Sequence, residues 1–202
     1  MVSKKNFEIL KKEYGLCGSW TIWELPGSTS KSNTGNMKWA EDPKLNEKVG
    51  TGFVFVGLNW AGGHGDQTEG GTIKWKDFHS DYTYQNDYKL RYALMGTQYW
   101  GSYITDIIKY YPETDSTKVD KMLKNNPSIV KKNIELFERE LSLLGDKEPV
   151  LVALGGSSYD ILKQYFGRKY TVVKIKHYSF TISKENYRKE VLETLDTIKK
   201  NI

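Results

Sequence analysis

Three polar residues lie at or just beyond the ends of apolar segments, where a side chain can act on a ligand: Asn59, Asp106 and His177. An asparagine amide can position a water molecule or hydrogen-bond the edge of a base, although asparagine at such a place also often caps a turn. A histidine can donate to a developing anion or shuttle a proton near neutral pH, although a lone histidine more commonly bonds a nearby carbonyl. These residue types are suited to binding a polar ligand and stabilising charge that develops on it.

Four apolar segments that contain or precede these residues have the pattern of buried strands. The first and third are continuous apolar runs with glycine at their ends, which is typical of parallel strands covered on both faces. Helical patterns separate the strands, and the strongest of them has Pro127 in its first turn and Gly145 just past its end. The predicted strands are 52–58, 102–108, 149–154 and 170–175, and the predicted helices are 6–14, 88–94, 126–144, 157–166 and 184–198.

Strands that alternate with helices predict an α/β fold with a parallel sheet. We expect a single three-layer domain, residues 51–202, in which helices flank a central four-stranded parallel sheet. Residues 1–50 are expected to form an N-terminal extension packed on that domain, because they contain a long Gly/Ser/Asn-rich loop at 27–36. In such sheets ligands bind beyond the carboxyl ends of the strands, which places the three polar residues near one edge.

Three short motifs surround these residues: Gly57-Leu-Asn-Trp-Ala-Gly62, the stretch Tyr99–Lys109, and His177-Tyr-Ser179. The first is similar to the Gly-Ile-Asn-Pro-Gly motif of the mismatch-specific branch of the uracil-DNA glycosylase superfamily. The second resembles the strand of that fold that carries a base-reading residue, and the third resembles its distal His-Pro-Ser motif. Order and spacing agree from about residue 52 to residue 180, so the resemblance covers the predicted domain but not the N-terminal extension.

The resemblance implies hydrolysis of the N-glycosidic bond of a deaminated or damaged base in DNA, without a metal or a cofactor. The target nucleotide is flipped out of the duplex into a pocket, where its base is stacked and read by hydrogen bonds. Asn59 is then expected to position the attacking water, and His177 to stabilise negative charge on the departing base. The implied substrate-binding residues are Gly57, Trp60, Gly62, Asp106 as the base reader, Ser179, and Phe78 as the stacking aromatic with Trp75 as its substitute.

Departures from the family pattern leave two other functions open. Trp60 and Tyr178 stand where the family has proline, and an ionised Asp106 accepts hydrogen bonds but cannot donate them. These differences favour a base other than uracil, or a protonated Asp106, and they motivate a catalytically silent homologue that binds DNA or a damaged base. The acidic loop at 66–87 would repel a DNA backbone, which motivates a nucleoside or nucleotide hydrolase on the same scaffold.

The composition permits a DNA partner and excludes several other classes. The 202 residues carry 30 basic and 25 acidic side chains, a net charge of +5, and residues 160–202 carry 10 basic against 5 acidic. This excess flanks His177, where DNA phosphates would lie, although a solvated lysine-rich helix face has the same pattern.

One cysteine excludes a disulfide framework and a cysteine-rich zinc site, and no apolar run approaches the roughly 18 residues of a membrane span. Since the chain starts with no apolar signal segment, we expect a cytoplasmic location. We also expect a monomer.

Overall fold

The sheet at the centre of the molecule has five strands. The computed structural model describes residues 1–60, 73–82, 84–109 and 111–200. The strands are β1 (Gly18–Trp20), β2 (Gly50–Asn59), β3 (Ser102–Ile108), β4 (Val150–Leu154) and β5 (Val172–Ile175). Their order across the sheet is β1-β3-β2-β4-β5, with β1 antiparallel to β3 and all other neighbours parallel. The predicted α/β class is confirmed, and each of the four predicted strands corresponds to one of β2 to β5.

The prediction of a four-stranded sheet was one strand short, because β1 comes from the N-terminal 50 residues. The strand has only three residues, too few for an alternating or continuous apolar pattern to reveal it. It forms because its backbone pairs with β3, with Ser19 opposite Ile104, and because the Trp20 side chain is completely buried. The N-terminal segment therefore supplies an edge strand and a core side chain to the same sheet.

Seven helices surround this sheet within the described ranges. They are α1 (Lys4–Tyr14), α2 (Leu45–Lys48), α3 (Asp87–Leu94), α4 (Ser116–Asn125), α5 (Pro127–Leu144), α6 (Gly156–Phe166) and α7 (Lys184–Lys199). The five predicted helices correspond to α1, α3, α5, α6 and α7. Helix α5 begins at Pro127 and ends at Gly145 with φ of 79°, a left-handed conformation that glycine adopts without steric cost.

Apolar side chains cover both faces of the sheet. Along β2, Val54 and Val56 belong to one buried cluster and Phe55 belongs to the other, since neighbouring strand residues point to opposite faces. The first cluster includes buried side chains of α1, α5 and α6, and the second includes those of α3 and α7. With both faces covered, a ligand has access only to the edges, and the parallel strands bring their carboxyl ends to the same one.

Candidate functional site

Gly57 and Asp106 lie directly opposite each other on the neighbouring strands β2 and β3. A β-carbon on Gly57 would stand 2.1 Å from Oδ1 of Asp106 and 3.6 Å from Cε1 of Phe78. The missing side chain at position 57 therefore provides the space that the Asp106 carboxyl occupies. The structure thus brings together three residues that the sequence predicts to bind substrate.

The aromatic residue at this point is Phe78, and its predicted substitute Trp75 is not available. Phe78 is half-buried with φ of 66°, and its carbonyl accepts a hydrogen bond from Nε1 of Trp23 at 3.2 Å. Trp75 is completely buried, with its ring 5.7 Å from that of Phe7 and 5.9 Å from that of Trp20. The prediction that Trp75 can replace Phe78 as a stacking aromatic was therefore wrong, because core packing encloses its ring.

Asp106 forms a hydrogen-bonded pair with Asp77, a residue that the sequence analysis did not select. Burial and the neighbouring Asp77 raise the pKa of Asp106 well above its ordinary value. Burial likewise raises the pKa of Asp77 to about 7. Both shifts favour protonation of the pair, and the protonated form of Asp106 is one that the sequence analysis left open. Asp77 directly precedes Phe78 in a segment that is neither helix nor strand. No periodic sequence pattern therefore predicts that Asp77 lies beside Asp106.

His177 follows β5 and presents a neutral imidazole. Its Nδ1 atom accepts a hydrogen bond from the backbone N–H of Ser179 at 3.2 Å and lies 2.7 Å from the Ser179 hydroxyl. Burial lowers the pKa of His177 to about 4, so the ring is uncharged at neutral pH. Because Nδ1 is an acceptor, the hydrogen of the neutral ring is on Nε2. Ser179, predicted to bind substrate, is seen here fixing the tautomer of the histidine.

Asn59 is the last residue of β2, and its amide nitrogen holds the chain beyond β3. Nδ2 donates to the carbonyl of Tyr111 at 3.0 Å and to that of Glu113 at 2.8 Å. This is the turn-stabilising role that the sequence analysis weighed against chemistry. It also fixes the orientation of the amide, because both hydrogens of the nitrogen have backbone acceptors. The polar atom left for a ligand is the acceptor Oδ1.

The predicted site residues divide into two groups along the edge of the sheet. Asn59, Gly57 and Asp106 lie on the adjacent strands β2 and β3, whereas His177 follows β5, which β4 separates from β2. A β-carbon on Gly155, directly after β4, would lie 3.7 Å from Cβ of His177, so the histidine sits beside the end of β4. Tyr178 connects the groups: its ring lies 4.1 Å from that of His177, and burial together with Asp87, Asp106 and Asp77 raises its pKa.

The remaining two predicted binding residues are Trp60 and Gly62. The backbone N–H of Trp60 donates to the carbonyl of Ile108 at 3.1 Å, which continues the pairing of β2 with β3. Gly62 lies outside the described residues. Trp60 is therefore placed at the edge of the sheet, beside Asn59.

The surface near His177 is less basic than the residue count indicates. Lys176 pairs with Glu190 at 2.8 Å, and Nη1 of Arg188 donates to the carbonyls of Ala93 and Met95 at the end of α3, each at 3.0 Å. Ser179 opens onto a groove of about 420 Å³, lined by Asn86, Tyr88, Lys89 and residues 179–183. Several of the basic side chains in this region therefore stabilise the fold.

His79 has a structural role. It lies between the rings of Trp23 and Trp39, 5.1 Å from each, with Nε2 2.8 Å from the Ser19 hydroxyl. Burial lowers its pKa to about 3.

In the described part of the chain, no group of three or more His, Cys, Asp and Glu residues could hold a metal ion. Nor do those residues include a helix long and apolar enough to cross a membrane.

The fold and the site define an α/β protein with a mostly parallel sheet and two groups of polar and aromatic residues at the carboxyl edge of that sheet. One group combines the half-buried ring of Phe78 with the Asp77 and Asp106 carboxyl groups, and the other is the neutral His177 with Ser179. No protein-family model, no curated protein and no solved structure matches this chain. The function is therefore argued from these residues themselves.

We expect Gly57→Ala to lower the free energy of unfolding by about 1–3 kcal/mol, because the new methyl group would overlap the Asp106 carboxyl. Urea unfolding followed by tryptophan fluorescence measures this change. Gly50→Ala, on the same strand, is the matched control because its β-carbon would meet nothing within 4 Å. Equal stability of the two variants would contradict the close approach of Asp106 to Gly57.

Proposed function

We propose that this protein hydrolyses the N-glycosidic bond of a deaminated or damaged base flipped out of DNA. We further propose a three-layer fold of the uracil-DNA glycosylase type, acting as a cytoplasmic monomer in base-excision repair. The observation that carries the proposal is the meeting of Gly57, Phe78 and Asp106, which come from separate chain segments. They provide an aromatic ring and a hydrogen-bonding carboxyl, which are the two elements that hold a flipped base.

In the proposed complex the base stacks on Phe78 and hydrogen-bonds Asp106. Gly57 is required because any larger side chain would overlap the Asp106 carboxyl. The rings of Tyr82 and Tyr84 are exposed and stacked on each other with centroids 5.3 Å apart, and we propose that they add a second aromatic contact for DNA. Such surfaces stack on bases without regard to sequence.

The bond-breaking step uses the water held by Asn59. The water oxygen forms a bond to C1′ of the deoxyribose while the bond from C1′ to the base nitrogen breaks. The electron pair of that bond stays on the base, which leaves as an anion and then takes up a proton from solvent. The attacking water loses one proton to solvent, which leaves a hydroxyl group on C1′. Oδ1 of Asn59 accepts a hydrogen bond from the water and orients it, but an amide is too weak a base to activate the water strongly.

His177 lowers the free energy of the departing anion. Its Nε2–H is a donor on a ring that the Ser179 backbone holds in one tautomer. A preorganised donor aimed at developing negative charge is among the largest single contributions to catalysis. In the proposed complex this donor approaches the base from the β4 side, since a β-carbon on Gly155, directly after β4, would lie 3.7 Å from Cβ of His177.

A second candidate function is binding without turnover. It is favoured by the hydrogen bonds of the Asn59 amide to the carbonyls of Tyr111 and Glu113, which give that residue a purely structural use. In that case the pocket would hold a flipped or free base, and no bond would break.

The deciding experiment is an excision assay on duplexes that contain uracil, hypoxanthine or xanthine opposite each normal base. We expect abasic sites, revealed by alkaline strand cleavage, with at least one of these bases, and loss of excision in Asn59→Ala that still melts cooperatively. Salt-dependent DNA binding without excision selects the second candidate. If the protein neither binds DNA nor excises a base, but free nucleosides raise its melting temperature, both candidate functions are wrong. A small-molecule hydrolase is then the better description.

A further inference from the structure

The carboxyl pair formed by Asp77 and Asp106 contains a buried oxygen atom with no ordinary partner. Oδ2 of Asp77 is inaccessible to solvent and accepts no hydrogen bond from an N–H or O–H group among the described residues. A buried carboxylate oxygen without a donor is costly, so native structures rarely contain one. The two carboxyl groups nevertheless lie within hydrogen-bond distance of each other.

A single proton between the two carboxyl groups accounts for both observations. Two carboxylates in contact repel each other, whereas a carboxylic acid donates to a carboxylate. We assign the proton to Asp106, because the Asp77 carboxyl also accepts a hydrogen bond from the backbone of Phe78, which favours the charged form of Asp77. The O–H of Asp106 is then used by Asp77, and its other oxygen remains as an acceptor.

We infer that Asp77 is a positioning residue that shares one proton with Asp106 and thereby fixes the base-reading carboxyl as a hydrogen-bond acceptor. This inference rests on the proposed function and deepens it. An acceptor selects a base that presents a ring N–H at that point. Deamination changes the base in this way, because it converts the unprotonated ring nitrogen of cytosine or adenine into an N–H group.

Among the described residues, four other titratable groups interact electrostatically with the pair. Lys109, just after β3, lowers the pKa of both acids, and Glu140 of α5 raises that of Asp106. These two charges form an ion pair with each other at 2.7 Å. Cys17, before β1, and Tyr178, after β5, are uncharged at neutral pH because burial raises the pKa of each. The carboxyl pair is therefore the group nearest the base whose charge changes near pH 7.

The sign of the pH dependence follows from the charge on the leaving base. Above about pH 7 the pair carries one negative charge, which opposes a departing anion, and below that pH Asp77 is protonated and the charge disappears. Excision by the wild type should therefore accelerate as the pH falls through about 7. In Asp77→Asn the carboxyl group that titrates near pH 7 is absent, so the inflection should leave its wild-type position.

The proton sharing is tested directly by ¹³C NMR of aspartate-labelled protein between pH 4 and 9, with the two side chains assigned from Asp77→Asn and Asp106→Asn. In the wild type we expect one of the two carboxyl carbons to remain in the protonated form at pH 7 while the other titrates. In Asp77→Asn we expect the Asp106 carbon to titrate at lower pH. Two carboxylates ionised at pH 7, or an unchanged Asp106 titration, would overturn the inference.

The excision rate over the same pH range tests whether the pair reads the base. Asp81→Asn is the matched control, because Asp81 belongs to the same segment but is exposed and pairs with Lys76 at the surface. We expect the wild-type profile in the control and a displaced one in Asp77→Asn. A displaced NMR titration with an undisplaced excision profile would refute the reading role. Absence of excision by the wild type would refute the proposed function, and the NMR result would still decide the proton sharing.

Discussion

His177→Ala should reduce the rate of base excision by about 10²–10³-fold, the usual loss when a preorganised donor to a developing anion is removed. The imidazole is half-buried, and a backbone N–H fixes its tautomer, so Nε2–H needs no reorganisation when charge appears on the base. The expected loss is in the single-turnover rate, while the dissociation constant for DNA should change little. Single-turnover excision at saturating protein and fluorescence anisotropy measure the two quantities separately.

The pH profile distinguishes His177 from the carboxyl pair. Because burial lowers the pKa of His177 to about 4, its protonation state is constant from about pH 5 upwards. The inflection expected near pH 7 should therefore persist, at a lower rate, in His177→Ala. Ser179→Ala is the milder companion variant, since it removes only the hydroxyl and leaves the backbone N–H that bonds Nδ1. A wild-type rate in His177→Ala would remove the histidine from the mechanism.

Glu140→Gln should lower the free energy of unfolding by about 3–5 kcal/mol, because it leaves the Lys109 ammonium buried without a counter-charge. Both side chains of this pair are almost completely buried, and Nζ of Lys109 lies 2.7 Å from Oε2 of Glu140. The Tyr103 hydroxyl donates to the other oxygen of Glu140 at 2.7 Å. Burial alone would lower the pKa of Lys109, but the adjacent Glu140 raises it on balance. Urea unfolding of the wild type and the variant gives the difference.

A double variant separates charge from shape at the same position. In Lys109→Met with Glu140→Leu no charge is left unpaired, so much of the lost stability should return. Glu193→Gln is the control, because its partner Lys189 lies on the exposed face of α7 and the pair is solvated. If Glu140→Gln unfolds at the same urea concentration as this control, the ion pair does not hold α5 against β3.

The fold was largely predictable where neighbouring residues in the chain carry the signal. The run 52–58 is apolar because β2 is covered on both faces, and Pro127 and Gly145 mark the ends of α5 through their own backbone preferences. β1, α2 and α4 were missed, α2 because it has only four residues. β1 is too short for periodicity, and α4 (Ser116–Asn125) buries only Val119 and Leu123, so its apolar stripe is narrow.

The site was predictable in its location but not in its contacts. Strand ends point to ligand sites in parallel sheets, and on that basis Asn59, Asp106 and His177 were selected from the sequence. What each residue contacts depends on loops whose path has no local code. Nothing in the sequence indicates that Asn59 bonds the carbonyls of Tyr111 and Glu113, or that Trp75 turns into the core.

The sequence by itself determined an α/β scaffold with three polar residues at or near strand ends. It could do so because strand and helix patterns arise between residues close together in the chain. The tertiary structure alone decided the chemical form of those residues. The pKa of Asp106 is raised because the fold buries it against Asp77, and His177 is a neutral donor because the fold buries its ring. The reason is physical: a protonation state depends on desolvation and on charges nearby in space, which the order of residues does not specify.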